Sequence, residues 1–335
     1  MRIAVIGAGA IGSLVAGYLK LKDADVCLIG RTDAIEAIRK NGIVVSGVRG
    51  DLRVNIEAYE LLVSKPDLVI LATKTQDIER ALRDNLALLK NTPILTTQNG
   101  IQAEYITAKL LSKENIISSI VMFGATYLNP GRITHNFEGD WIIGSVFKDS
   151  PNYNMVEISM VLDRAFSTVI ADDILGKKYL KVFVNANNCI PAILGVSMQE
   201  AFSDPQVSRI SIVLWAEAFS LLSKLGIGLS GLPGFPVENV TGLISMPKEK
   251  AAVIFSGIMT KLSKDPLYGS ILQSIKRGRS SEIDYINGEF VSLAEKNQLA
   301  SPINKKLVEL VHKVEQDKRF LTKEELIDSL KEFLN

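Results

Sequence analysis

The sequence predicts an α/β protein, with a parallel-sheet domain of the dinucleotide-binding type at the N-terminus and an all-helical domain after it. Three observations carry this. An apolar strand, Ile3-Ala4-Val5-Ile6, passes straight into Gly7-Ala8-Gly9-Ala10-Ile11-Gly12 and then into the helical run Ser13 to Leu19. Buried-strand runs then alternate with helical patterns through the first half. From Asp172 the pattern turns to long amphipathic helices with almost no strand signal, which is a change of domain class and not a repeat. At 335 residues the chain exceeds the usual single-domain size, so residues 1–171 and 172–335 are read as two domains.

In the glycine loop, Gly7 permits the tight turn, Gly9 lets a pyrophosphate approach bare backbone, and Gly12 lets the helix pack closely on the strand. The unpaired amides and positive dipole end of that helix face the phosphates, which makes Gly7, Ala8, Gly9, Ala10, Ile11 and Gly12 the cofactor-binding loop. The second strand, Asp25 to Ile29, ends in Gly30-Arg31-Thr32. A site selective for NAD usually places an acid here for the ribose 2′-hydroxyl, whereas an arginine attracts a 2′-phosphate. Arg31 therefore argues for NADP(H), with Asp33 close enough to weaken the argument slightly, and against a flavin.

A short helix over 34–40 closes at Asn41-Gly42, and short strands follow around 43–45 and 52–55. The strand Asp67 to Ala72 delivers Thr73 and Lys74 to its carboxyl end, where ligands bind in open parallel sheets; Lys74 offers a second positive charge near a cofactor phosphate. A helix over 76–89 and a strand over 93–97 lead to Gln98-Asn99-Gly100, where Asn99 can reach the nicotinamide ribose or the substrate. Strands over 115–122, 132–136 and 141–146, a helix over 154–166 and a strand over 168–170 complete the first domain.

The first helix of the second half, over 178–191, is the informative one. At 100° per residue Asn185 falls about 40° from Lys181 and Asn188 about 20° to the other side, so one stripe of an apolar helix carries an amine and two amides. Such groups need partners, or they cost a few kcal/mol in desolvation. Asp204-Pro205 caps the next helix, which runs through Trp215 to Lys224 and ends at Gly226. Further helices are read over 247–262, around 270–276, after Glu282, and from the capping box Thr322-Lys323-Glu324-Glu325.

Composition narrows the function. A net charge of +1 gives no general reason to expect nucleic acid or an anionic membrane as partner. No apolar run reaches the about 18 residues needed to span a bilayer. A strand and cofactor loop beginning at residue 3 leave no room for a cleavable leader, so a cytoplasmic location is expected. Two cysteines, Cys27 and Cys189, and two histidines make neither a disulfide framework nor a metal site. A small molecule is the expected partner, with a homodimer left open.

Together these residues resemble the ketopantoate reductase (2-dehydropantoate 2-reductase) family, over nearly the whole chain to about Lys318. Four motifs carry the resemblance: the Gly7-Gly9-Gly12 loop with Arg31, Gln98-Asn99-Gly100, Lys181-x-x-x-Asn185, and Ser270-Ile-Leu-Gln with Ser-Glu282-Ile-Asp-Tyr-Ile-Asn-Gly288. The resemblance implies a Rossmann domain, a helical second domain and NADPH-dependent reduction of a branched 2-oxo acid on the route to pantothenate and coenzyme A. It also implies that Lys181 is the general acid, that Glu282 orients it and contacts substrate and cofactor, that Ser270 holds the carboxylate, and that Asn185 and Asn99 position substrate and cofactor. Three positions depart from the family pattern. Cys189 replaces an asparagine, with Asn188 read as its substitute; Gln199 stands for a further substrate-side asparagine; Ser274 replaces an aspartate. The alternatives are a paralogous reductase of another 2-oxo acid and a dinucleotide-binding sensor that has lost catalysis. Retention of Lys181, Glu282 and Ser270 together argues against the sensor.

Overall fold

In the computed structural model, residues 1–147, 151–263 and 265–334 are described. They form two compact units, Met1–Leu175 and Gly176–Asn335. The first holds strands β1 (Arg2–Ile6), β2 (Asp25–Ile29), β3 (Ile43–Gly47), β4 (Leu52–Val54), β5 (Glu57–Tyr59), β6 (Leu68–Leu71), β7 (Ile94–Thr96), β8 (Ile116–Val121), β9 (Gly124–Asn129), β10 (Arg132–Phe137), β11 (Trp141–Gly144) and β12 (Thr168–Ile170). Its helices are α1 (Ala10–Leu21), α2 (Thr32–Asn41), α3 (Ile78–Leu89), α4 (Gln102–Thr107) and α5 (Met155–Asp163).

Eight strands make one sheet in the order β12-β11-β8-β7-β6-β1-β2-β5, parallel throughout except where β11 runs against β8. Because side chains alternate across a strand, Ile3 and Val5 of β1 enter one apolar layer with Leu14, Val15 and Trp141. Ala4 and Ile6 enter the opposite layer with Ile78 and Leu82. Burial on both faces explains why the strands read as unbroken apolar runs. The chain leaves β1 toward β2 on one side and returns through β6 on the other, so the strand order reverses at β1. The crevice outside the carboxyl ends at such a reversal is where α/β sheets bind ligands.

Four further strands, β4-β3-β10-β9, form a second sheet that the sequence did not distinguish from the first. It pairs β10 parallel to β3 across a long stretch of chain, a non-local choice that strand periodicity cannot reveal. The Tyr18 hydroxyl and His135 Nδ1, 3.0 Å apart and buried, tie β10 of that sheet to α1. Strands β5 and β9 and helix α4 were also unread, the strands because they are short or half-exposed.

The second unit is helical: α6 (Ile174–Asn185), α7 (Cys189–Leu194), α8 (Met198–Phe202), α9 (Pro205–Lys224), α10 (Glu238–Ile244), α11 (Lys248–Met259), α12 (Ser270–Lys276), α13 (Asn287–Lys296), α14 (Pro302–Asp317) and α15 (Lys323–Leu334). Phe183, Trp215, Phe255 and Phe290 pack in its core, and the Trp215 indole N–H donates to the Phe183 carbonyl at 2.9 Å. Glu217 on α9 accepts from the Ile303 and Asn304 amides, at 2.9 and 3.1 Å, and thereby caps the start of α14. No described helix is long and apolar enough to cross a membrane.

The glycine loop sets the tightest packing in the first unit. A methyl group on Gly12 would lie 1.9 Å from the Gly7 carbonyl oxygen, and one on Gly7, where φ is +122°, would lie 2.5 Å from the Ala72 backbone. Gly12→Ala should therefore lower stability by about 1–3 kcal/mol in urea unfolding, the usual range for overpacking a tight contact. An unchanged midpoint would mean that α1 can shift off β1 without loss.

Candidate active site

In the first unit, α1 begins at Gly9 with no side-chain cap and no acidic residue in its first turn, so its leading amides remain to be satisfied from outside. A methyl group on Gly9 would meet no atom within 4 Å, in contrast to Gly7 and Gly12. Open space beside an uncapped helix start suits a pyrophosphate. Arg31 follows β2 with a side chain 61% exposed and is only loosely engaged by Asp33 at 3.9 Å. One acid at this corner went unread: Glu60, just beyond β5, accepts from the Thr32 hydroxyl at 2.9 Å. Pairing of β5 with β2 brings it there, and no local sequence signal announces that pairing.

Lys74 and Asn99 lie at the carboxyl ends of β6 and β7, both half-buried. The neighbouring Gln98 explains how they are held. Its amide is buried, donating to the Leu71 and Thr73 carbonyls at 2.9 Å each and accepting from the Thr97 amide at 3.1 Å. Gln98 is thereby spent on the backbone at the end of β7, next to Asn99.

In the second unit the helix read over 178–191 is not continuous. Regular α-helix ends at Asn185, residues Ala186–Asn188 form a 3₁₀ turn, and α-helix resumes at Cys189 to run past Pro191 to Leu194. Pro191 accounts for the break, since a proline ring clashes with the carbonyl four residues back, here that of Asn187. Residues three apart eclipse in a 3₁₀ turn, so Asn188 stacks over Asn185 on the side of Lys181 instead of falling beyond it. The shared stripe survives with a different offset.

Lys181 is half-buried as a whole, yet its ammonium is desolvated enough to bring its pKa down to about 8. Burial is the cause of that shift. Glu282 itself is 8% exposed and leads the 3₁₀ turn Ile283–Tyr285.

Asn188 packs against the start of α12, where a methyl group on Gly269 would lie 3.3 Å from the Asn188 Cβ. Ser270, the first residue of that helix, follows Gly269 directly in the chain. Cys189 points away: its thiol is fully buried, donates to the Ala186 carbonyl at 3.1 Å, and has its pKa pushed far up by burial. Ser274 donates to the Ser270 carbonyl at 3.0 Å and closes the turn of α12.

Gln199 also faces backbone. Its amide donates to the Ser263 and Asp265 carbonyls at 3.2 and 2.8 Å, and its oxygen accepts from the Leu267 amide at 2.9 Å. Both donors are used on the segment leading into Gly269 and Ser270, so Gln199 is placed to hold that segment and not to bind substrate directly, as the sequence reading had it.

Asn287, read only as part of the motif from Glu282 to Gly288, had no role assigned, and Glu217 escaped the sequence reading. Buried Asn287 donates to the Ala186 carbonyl at 3.1 Å and to Asn304 Oδ1 at 3.2 Å, joining the helix of Lys181 to the chain just after Glu282.

Comparison with known proteins places this arrangement. Residues 3–147 match the family description "Ketopantoate reductase PanE/ApbA", and residues 173–315 match its C-terminal counterpart. The chain belongs to the ketopantoate reductase family. It is 32% identical to the 2-dehydropantoate 2-reductase of Pyrococcus horikoshii, over 91% of this chain and 94% of that protein. With the protein of the same name from Archaeoglobus fulgidus the identity is 25%, over 94% and 98% of the two chains. Among solved structures, D-mandelate dehydrogenase with NADH and anilino(oxo)acetate superposes with a TM-score of 0.80 at 25% identity, over 95% of this chain and 99% of that one. A family member from Ralstonia eutropha gives 0.79 at 23%, a likeness of fold. The family assignment makes the chain an oxidoreductase with a dinucleotide-binding domain.

Gln199→Ala should raise hydrogen exchange at the Leu267 amide about tenfold, as expected for the loss of one hydrogen bond worth about 1.4 kcal/mol. Unchanged exchange would show that the segment before Ser270 is fixed by other contacts.

Proposed function

We propose that the chain reduces 2-dehydropantoate (ketopantoate) to pantoate with NADPH, on the route to pantothenate and coenzyme A, with Lys181 as the general acid. The observation that carries this reading is the desolvated Lys181, with a pKa of about 8, on one stripe with Asn185 and Asn188 in a chain 32% identical to a 2-dehydropantoate 2-reductase along nearly its full length.

The first unit is the cofactor domain. Gly7 to Gly12 and the α1 amides hold the pyrophosphate, Arg31 faces the 2′-phosphate, Lys74 adds a positive charge, and Asn99 fixes the nicotinamide end. When bound, NADPH supplies the hydride for C2 of the oxo acid. The second unit is the substrate domain. Ser270 and Asn188, the latter packed against Gly269 just before Ser270, hold the carboxylate, and Asn185 orients the C2 carbonyl. Lys181 gives its proton to the C2 oxygen as negative charge develops there. An acid works best with a pKa near the working pH, which burial achieves for this lysine. Glu282 takes the substrate hydroxyl.

A second reading, reduction of another 2-oxo acid, is favoured by Cys189 and Gln199, whose side chains are turned to backbone where the family carries substrate-side amides. The likeness to a D-mandelate dehydrogenase, whose structure holds an oxo acid analogue and NADH, supports it. Steady-state NADPH oxidation with a panel of 2-oxo acids separates the two. Preference for ketopantoate supports the first; preference for an acid without its terminal hydroxyl supports the second.

Arg31→Ala should weaken NADPH binding about tenfold or more while changing NADH little, since a charge-assisted contact to phosphate is worth about 1.5–3 kcal/mol. Fluorescence titration with both nucleotides measures this, and equal losses would remove Arg31 from cofactor choice.

Lys181→Met should cut kcat by roughly a hundredfold or more with NADPH affinity preserved. In the wild type, kcat should fall as pH rises through about 8, where Lys181 loses its proton. The stability effect has the opposite sense. Folding disfavours the ammonium, so the methionine variant should be more thermostable at neutral pH, with an advantage that fades as pH climbs above about 8 toward the ordinary lysine value. Retained turnover in the variant would place the acid elsewhere.

A further inference from the structure

His312 was not implicated by any motif, yet it stands where the chain carrying Glu282 turns from exposed to buried within the second unit. Residues 276–280 are exposed, and burial begins abruptly at Ser281, which is 5% exposed, and Glu282. On one side of Glu282, the Ser281 amide donates to Glu315 Oε1 at 2.7 Å. On the other side, Asp284 Oδ1 lies 2.9 Å from His312 Nε2. His312 Nδ1 lies 3.3 Å from Glu315 Oε2, which closes the loop. Both His312 and Glu315 project from α14, so one helix grips the residues immediately before and two after Glu282.

We propose that His312 and Glu315 form a positioning clamp that fixes Glu282 for its work on the substrate. This rests on the reading of Glu282 as a site residue. The geometry also makes the clamp protonation-dependent. Both ring nitrogens face carboxylate oxygens, and only the imidazolium can donate from both, the neutral ring having one N–H. The charged groups acting on the ring are Asp284 from the 3₁₀ turn and Glu315 from its own helix. Burial alone pulls the imidazolium down, but the bonds and charges of these two acids outweigh it, and its pKa is raised. Below that raised value the clamp is complete. As pH rises through it, one bond is lost and the Glu282 segment loosens. Glu315, with a side chain 15% exposed, anchors the buried end, while Asp284, at 56%, is the end most open to water.

The test uses the full chain and two independent readouts. In His312→Ala and Glu315→Ala, hydrogen exchange at the Ser281 amide, compared with wild type at one pH, should quicken about tenfold. With NADPH and the preferred 2-oxo acid, His312→Ala should lower kcat about tenfold while leaving the KM for NADPH unchanged. His312→Gln keeps a single donor toward Asp284, so it should recover part of the lost kcat and lack the pH response that the clamp shows above the ordinary histidine value. An NMR titration should show His312 with a raised pKa that falls in Asp284→Asn. Unchanged Ser281 exchange in both alanine variants, or a kcat profile of His312→Ala superimposable on wild type, would overturn the clamp. If exchange responds as expected but the wild type reduces no 2-oxo acid, the clamp stands and the functional reading fails.

Discussion

The backbone carbonyl of Ala186 accepts hydrogen bonds from the Cys189 thiol and from the Asn287 amide, and the arrangement of the second unit follows from that pair of contacts. The 3₁₀ turn over residues 186–188 departs from the regular helical ladder, and a carbonyl left unpaired in a core costs on the order of 1–3 kcal/mol. Cys189 supplies a partner from the same helix and Asn287 one from distant chain. The second bond does more than satisfy an oxygen. It holds the helix carrying Lys181, Asn185 and Asn188 against the segment that carries Glu282, and Asn304 and Glu217 continue the network into α14 and α9. A buried polar chain of this kind stabilises only when nearly every member is paired, which makes it a specifier of geometry more than a source of net stability.

The first unit relies on a steric constraint instead. Two glycines allow α1 to sit on β1 and Ala72 at distances no side chain permits, while the glycine between them opens on empty space. The close approach and the opening are parts of one turn, so the same three residues fix the helix and expose its amides. Gln98 then performs for β6 and β7 what Asn287 performs for the helices. It spends a buried amide on backbone so that its neighbour Asn99 is presented in a fixed place. In both units, a candidate site residue lies beside an amide that is spent on backbone carbonyls.

The three departures from the family pattern take on different meanings in this light. Cys189 belongs to the core, and its exchange for asparagine removes a polar group from the stripe, while Asn188 packs against Gly269. Gln199 has turned from a substrate-side position to the backbone before Ser270, and its longer side chain reaches three groups there. Ser274 closes a helical turn. In the proposed function, one amide fewer on the substrate side alters which 2-oxo acid is accepted more than whether a carbonyl is reduced, because Lys181 is unchanged.

Much was legible in the chain itself. The alternation of apolar runs with helical periods dictates a parallel sheet buried on both faces, and the spacing of Gly7, Gly9 and Gly12 after a strand dictates the turn. Lys181, Asn185 and Ser270 stand out as candidates because local motifs carry them. Local signals end where non-local pairing begins. The second sheet, the approach of Glu60 to the Arg31 corner, the spent amides of Gln98 and Gln199, and the network of Asn287, Asn304 and Glu217 all join residues far apart in sequence. An asparagine or glutamine looks the same in sequence whether it serves a ligand or a backbone carbonyl. Only the tertiary structure decides, because the choice depends on which unpaired group the folded chain places within about 3 Å.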